Sequence, residues 1–168
     1  MAISAAMVKE LRERTGLGMM DCKKALAEAG GDMDQAIEDL RKKSSLKAAK
    51  KAGRTTANGL LGVKSSEDGT RIALVEVNIE TDFAAKNEKF IAFVSKVAQT
   101  LFDSGDMDSV TQTLNAERET LVQEIGENLA IRRGALVESA SGGLSYYMHG
   151  DQRRGAIVQL ADKHDELG

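Results

Sequence analysis

The hydrophobic period of this chain changes partway along, and that change limits what it can fold into. Up to about residue 53 apolar side chains recur three and four positions apart. From Leu60 they alternate, most clearly at Ala73, Val75, Val77 and Ile79. The first spacing lays a stripe along a helix; the second fills one face of a strand. A chain that does both, then returns to the helical period before more short strands, is expected to be α+β. Its 168 residues suffice for one ordinary core with a small satellite, so two modules are expected.

The helical part is punctuated by glycine alone, because the chain contains no proline. Ser4 can cap a first helix with Met7, Val8 and Leu11 on one face, stopped at Thr15-Gly-Leu-Gly18. A second helix carries Cys22, Ala25, Leu26 and Ala29, closed by Gly30-Gly31. Asp32 caps a third, with Gln35 as the reciprocal partner and Met33, Ala36, Ile37 and Leu40 along the buried face. Three such helices bury little, so the unit is compact but marginal alone. Gly16-Leu17-Gly18 is not a dinucleotide loop: Asp21 stands where the third glycine belongs, and a helix precedes it. On spacing alone Met19 and Met20 read as core or hinge packing, with a docking surface as the alternative.

Charge is uneven along the chain. Residues 1–55 carry 12 basic and 8 acidic side chains; the remainder carries 11 and 18. Arg41 to Arg54 holds seven basic residues and no acidic one. Such a run can bind nucleic acid, but it has no aromatic to stack on a base and the chain is acidic as a whole, so a solvated linker helix is the expected reading.

Beyond it, Leu60, Leu61 and Val63 form a short strand, Ser65 to Gly69 a turn, and Arg71 to Glu80 the return strand. Its second face passes from Ile72 and Leu74 to Glu76, Asn78 and Glu80, so the strand becomes solvated toward Thr81. Thr81-Asp82-Phe83 therefore ends an exposed strand terminus. With four Phe and two Tyr in the chain, an aromatic there is either tucked under its turn or held out to a partner. Asp82 could also cap a short turn at Phe83 to Ala85. Asn87 is expected to cap a helix with Phe90, Val94, Val97 and Leu101 along one face, ending near Ser104-Gly105. Asp108 to Asn115 is ambiguous. A second core helix is expected over Ala116 to Leu129, with Leu121, Ile125 and Leu129 as its spine, followed by strands Ala135–Glu138, Leu144–His149 and Gly155–Ala161. In this reading the helices near 88–103 and 116–129 both cover the antiparallel sheet. Ile125 reads as helix core; His149, at a strand end, is as readily a surface residue as a functional one.

The chemistry these residues support is narrow. Two histidines, His149 and His164, and one cysteine are too few and too scattered for a zinc site. No phosphate-binding Gly-x-x-x-x-Gly-Lys-Ser/Thr loop and no Gly-x-Ser-x-Gly element occurs. The exposed Glu80 and Asp82 pair reads as solubility rather than catalysis. A lone Cys22 forms no internal disulfide, no apolar run approaches membrane-spanning length, and the start lacks a secretory pattern, so a cytoplasmic, non-enzymatic protein without a cofactor is expected.

Three blocks resemble one family. Arg12 to Leu26, with Arg-Thr-Gly-Leu-Gly-Met-Met-Asp-Cys-Lys-Lys-Ala-Leu, is the first. Val77-Asn78 with Thr81-Asp82-Phe83 and Lys86-Asn87 is the second, and Ile125-Gly-Glu-Asn128 with Arg132-Arg133 the third. Together they resemble bacterial translation elongation factor Ts, the guanine-nucleotide exchange factors of elongation factor Tu, in the family's order from about Ala5 to Leu160. The resemblance implies a ubiquitin-associated-like three-helix domain over residues 1–53, an α+β core subdomain over 54–140 and the start of a second subdomain over 141–168. It implies that the loop Thr81, Asp82, Phe83 and Ala84 enters the nucleotide-binding domain of elongation factor Tu. There Phe83 wedges between two helices and disturbs the ligands of the magnesium ion on the nucleotide. Met19, Met20, Lys23, Ile125, Gly126 and His149 match other partner contacts, with no cofactor, membrane or direct nucleic acid involved. Ala84 departs from the family's more common valine, and the sequence stops at Gly168 where the second subdomain would continue. The last 25 residues are therefore expected to leave an exposed sheet edge. The alternative is a nucleic-acid- or ubiquitin-fold-binding adaptor using the three-helix unit and the basic run.

Overall fold

The structure, a computed structural model, describes residues 3–160; the Ala161 end of the last expected strand and His164 lie outside them. The fold is α+β, with two compact units.

One unit joins the chain up to Arg54 with Ala116–Asn128. Its helices are α1 (Ala5–Thr15), α2 (Met19–Glu28) and α3 (Met33–Lys51). Ser4 accepts from the Met7 N–H at 3.2 Å, and Gly16, at φ 72°, closes α1. Asp32 accepts from the Gln35 N–H at 2.9 Å, but the Gln35 amide donates to Asp39 at 2.9 Å instead of closing a reciprocal box. Val8, Leu11, Leu17, Cys22, Ala25, Leu26, Ala36 and Leu40 form the core.

The basic run is not a linker. α3 continues through it to Lys51, and Leu40, Ser44 and Ala48 are buried at successive i, i+4 positions. The small residues Ser44 and Ala48 keep the seam going where the sequence shows mainly lysine. Ser44 donates to the Gln123 amide oxygen at 2.6 Å and Ser45 to Glu119 at 3.3 Å. Residues 116–125 thus pack with the N-terminal helices, not over the sheet. They form the second part of α5 (Met107–Ile125), which starts nine residues earlier than the sequence suggested. Asp106 accounts for the early start: its carboxylate accepts from the Ser109 N–H at 2.8 Å and its hydroxyl at 2.6 Å. Only Val110 and Leu114 mark the buried face of the polar opening turns. The helix ends at Ile125 rather than Leu129, because Gly126 takes φ 85° and reverses the chain.

The second unit holds Thr55–Asn115 and the described residues from Leu129 on. Strands β1 (Asn58–Ser65), β2 (Arg71–Ile79) and β3 (Leu129–Glu138) make an antiparallel sheet in the order β1-β2-β3. Leu129, expected as the end of a helix spine, instead opens β3 opposite Ile79. α4 (Glu88–Ser104), capped by Asn87 accepting from the Lys89 N–H at 2.9 Å, covers one face. There Ala73, Val75, Val77 and Ile79 meet Phe90, Val94, Val97 and Leu101, all buried. Two glycines allow this approach: a Cβ on Gly62 would lie 2.8 Å from Val94, and one on Gly134 2.8 Å from Leu101. A hairpin of β4 (Leu144–Met148) and β5 (Gly155–Gln159) forms a separate two-stranded sheet. It is tied to the first sheet's strands and turns where Leu144 N–H donates to Gly69 at 3.1 Å and Leu61 N–H to Gln152 at 2.7 Å.

Candidate partner-binding site

β2 is half-buried at Arg71, Leu74 and Glu76 but buried at Val77, Asn78 and Ile79, so it does not become solvated along its second face as expected; Glu80 then leads into Thr81-Asp82-Phe83 and a 3-10 turn at Ala84–Lys86. Thr81 is the residue that organises this loop. Its hydroxyl accepts from the Ala84 N–H at 3.1 Å and its carbonyl from the Ala85 N–H at 3.2 Å. Thr81, and not Asp82, is therefore the cap. The Phe83 and Ala84 carbonyls then accept from Lys86 and Asn87 at 3.2 and 3.0 Å, passing the chain straight into the Asn87 cap of α4. On the entering side the Asn58 amide donates to the Glu80 carbonyl at 3.0 Å.

The turn buries its small residues and exposes its large one. Ala84 and Ala85 are 6% and 3% exposed while Phe83 is 85% exposed, the highest value among the large apolar residues described. Phe83 is held out, not tucked under. The pinned backbone fixes where the ring stands, because both flanks of the loop are anchored by hydrogen bonds to the sheet or to the following helix.

His149 stands in the same unit, at the β4–β5 turn. Its N–H donates to the Arg154 carbonyl at 2.9 Å and its carbonyl accepts from Gln152 at 2.8 Å, while its Nδ1 lies 2.9 Å from the Tyr147 hydroxyl. Gln152 takes φ 54°, a left-handed conformation unusual for a residue with a side chain. Asp151 accepts from the Arg153 N–H at 3.1 Å; that bond, with the nearby charges of His149, Arg154 and Arg153, holds its carboxyl below the ordinary range. Asp82 and Asp151 line one groove together with Leu60, Ala85, Lys86, Ile91, Gln152 and Arg153. No local pattern in the residues brings these two turns together.

The other predicted residues belong to the helical unit. Met19 and Met20 are 53% and 78% exposed in the first turn of α2, with Lys23 exposed one turn on, so all three share an outward face while Cys22, Ala25 and Leu26 point inward. Core packing of the methionine pair is excluded by these exposures. Ile125 is half-buried at the end of α5; the Gly126 carbonyl accepts from the Lys51 ammonium. Asn128 caps the end of α3, donating to the Arg54 and Ala52 carbonyls at 2.9 and 3.3 Å. Lys51 and Asn128 escaped the sequence reading, since their partners lie more than 70 positions away.

These contacts also alter the reading of the basic run. Lys51 is committed to Gly126, Lys42 to Glu38 at 2.8 Å and Lys43 to Asp21 at 3.7 Å. Lys42, Lys43 and Lys51 are thus already engaged within the chain. In the sheet unit, a bulge leaves Arg132 without a partner across β2, so Arg132 and Arg133 both reach Glu76, at 3.9 and 2.6 Å. Burial pushes the Glu76 carboxyl up, but hydrogen bonds from Arg133 and Asn78 and the charges of both arginines outweigh it and hold the group below the ordinary range. Among the described residues no group of three His, Cys, Asp or Glu side chains could hold a metal ion, and no helix is long and apolar enough to cross a membrane.

The family profile described as Elongation factor TS matches residues 80–168, from the end of β2 onward. Elongation factor Ts of Teredinibacter turnerae is 53% identical over 165 residues, covering 96% of this chain and 56% of that protein. The protein of the same name from Saccharophagus degradans is 51% identical over 170 residues, covering 99% and 59%. That from Arthrospira platensis is 48% identical over 176 residues, covering 99% and 70%. This chain spans little more than half the length of the first two. It belongs to the elongation factor Ts family.

Proposed function

We propose that the chain promotes GDP release from elongation factor Tu during the elongation stage of protein synthesis, in the cytoplasm and without a cofactor of its own. The observation that carries this reading is Phe83, 85% exposed on a turn whose supporting residues are buried. A large aromatic fixed in water gains nothing from the chain's own core and is suited to a pocket on another protein. Membership of the elongation factor Ts family supports the identity of the partner.

In this reading the Thr81–Ala84 loop enters the partner's nucleotide-binding domain, Phe83 wedges between two helices, and the Asp82 carboxylate comes close to the phosphate site. Magnesium on the nucleotide demands near-ideal octahedral geometry, so displacing its surroundings slightly weakens the hold on the phosphates. No bond is made or broken; the chain redistributes binding energy. By reciprocity, a factor that lowers GDP affinity binds the nucleotide-free partner more tightly by the same ratio.

Magnitudes show that the wedge does not act alone. Accelerating release a thousandfold requires about 4 kcal/mol, and burying one Phe supplies roughly 1.5–3 kcal/mol. Ala84, where the family more often has valine, adds little apolar area. The remainder falls to Met19, Met20, Lys23, Ile125, Gly126 and His149. Fluorescent-GDP release from elongation factor Tu tests the reading. With Phe83→Ala, release is expected to slow roughly ten- to a hundredfold at 1.4 kcal/mol per decade. Unchanged release by a folded variant would remove Phe83 from the site.

A further inference from the structure

We infer that Asn78 and Asn58 are positioning residues for nucleotide exchange, which together set the peptide group from which the Phe83 turn departs. This rests on the exchange-factor reading above. Asn78 is 8% exposed, and its Oδ1 is buried with no hydrogen-bond partner. A buried acceptor left unmatched lowers stability, so an apolar side chain of the same size would hold this end of β2 at least as well. Val77 and Ile79, on either side of it, fill the core against α4, and Asn78 lies on the other face of the strand. The core therefore gives no reason for an asparagine here.

Its amide nitrogen supplies the reason. It donates to the Asn58 carbonyl at 3.3 Å and to Glu76 Oε1 at 3.1 Å. Glu76 is itself held from β3, where Arg133 donates to its Oε2 at 2.6 Å. Gly59, opposite Asn78 in the β1–β2 register, leaves room for the crossing: a Cβ there would lie 2.9 Å from the Asn78 amide nitrogen. The side chain of Asn78 is thus fixed from β3 and in turn fixes the first residue of β1.

Asn58 carries that restraint to the turn. Its own amide donates to the Glu80 carbonyl at 3.0 Å. Because a peptide group is planar, holding the Glu80 carbonyl also orients the N–H and Cα of Thr81. Thr81 is the residue whose hydroxyl and carbonyl accept from Ala84 and Ala85 beneath Phe83. The contacts run from Arg133 through Glu76, Asn78 and Asn58 to Glu80, so the direction of the wedge is referred to all three strands of the sheet.

The test is GDP release from elongation factor Tu, titrated with this protein to saturation, for Asn58→Ala, Asn58→Asp and Asn78→Leu, each alone and combined with Phe83→Ala, alongside thermal melts. Asn58→Ala is expected to lower the maximal release rate about fivefold, as the loss of one hydrogen bond does, with the half-saturating concentration within about twofold of the parent's. Asn58→Asp keeps the shape but turns an acceptor on the Glu80 carbonyl, so its loss is expected to be larger. Asn78→Leu removes the unmatched acceptor and is expected to melt no lower than the parent while releasing GDP about threefold more slowly. None of the three is expected to slow release further once the ring is gone, because each acts through it. Equal losses with and without the ring, or a lower melting temperature for Asn78→Leu with full maximal release, would overturn the inference and leave the wedge standing. Normal release by folded Phe83→Ala would overturn the exchange reading and the positioning role with it.

Discussion

The two places at which the described residues expose their most accessible apolar side chains, Phe83 and Met20, are built on opposite principles. Phe83 rises from a turn whose every neighbour is fixed: Thr81 caps it, Ala84 and Ala85 fill the space beneath, and Asn87 starts α4 at once. Met19 and Met20 open α2 behind Gly18, which offers no side-chain cap. A planar ring on a pinned backbone loses little freedom when a pocket closes on it, whereas unbranched thioethers adapt to whatever surface they meet. Under the proposed exchange reading the contrast implies a division of labour, in which the rigid feature would displace and the soft one adhere.

The largest expected effect comes from comparing Phe83 with Phe90, seven positions on. Phe90 is fully buried against the sheet, so Phe90→Ala is expected to cost about 3–5 kcal/mol of stability. Phe83→Ala is expected to stay within about 0.5 kcal/mol, as exposed substitutions do. Thermal melts of the two variants check this directly. If Phe83→Ala melts as low as Phe90→Ala, the ring belongs to the core and the contrast between rigid and soft features collapses.

The next effect concerns what makes the wedge rigid. Thr81→Val keeps the shape and removes the hydroxyl that accepts from Ala84, a cap worth about 1 kcal/mol. GDP release is expected to slow roughly three- to fivefold, since part of the wedge energy would then go into ordering the turn. A full exchange rate with the expected loss in melting temperature would show that rigidity is not what the wedge requires.

How much of this was legible in the residues follows the range of the interactions. β2, the α4 stripe and the Asn87 cap were readable because each is decided within a few positions. Phe83 was singled out, but its exposure was left open, because tucked and extended aromatics share one sequence. The end of α3 was misread because Ser44 and Ala48 are small enough to bury without looking apolar, and their covering segment lies some 75 positions downstream. The start of α5 was missed because Asp106 offers its cap inside a polar stretch. That the β4–β5 turn lies against β1 depends on Leu61 donating to the Gln152 carbonyl, a pairing no local pattern announces.

The same division of labour can be sharpened at a helix end with no core involvement. Lys51→Met removes the ammonium that the Gly126 carbonyl accepts from, and a loss of about 1 kcal/mol is expected for an unmatched helix-terminal carbonyl in a half-buried place. Amide exchange should rise at residues 122–126 and stay level in β2. Equal loosening of β2 would mean that the contact has a wider role than holding this end of α5.

The smallest effect tests the soft feature itself. Gly18 has extended backbone at φ −63° and ψ 149°, the geometry of a helix cap, yet donates no side-chain partner to the first turn of α2. A Cβ there would meet only Asp21, at 3.9 Å, so Gly18→Ser fits without displacement. Serine gains on glycine at this position by only a few tenths of a kcal/mol, and the gain should appear as slower amide exchange at residues 20–22 with little change in melting temperature. Stiffening the turn also restrains the backbone beneath Met19 and Met20. If these residues adhere by adapting, affinity for elongation factor Tu should not improve and is expected to fall slightly, by less than about twofold at that energy. A clear rise in affinity would show that the methionine face, like the Phe83 turn, works best when its backbone is fixed, and the two surfaces would then differ in chemistry but not in principle.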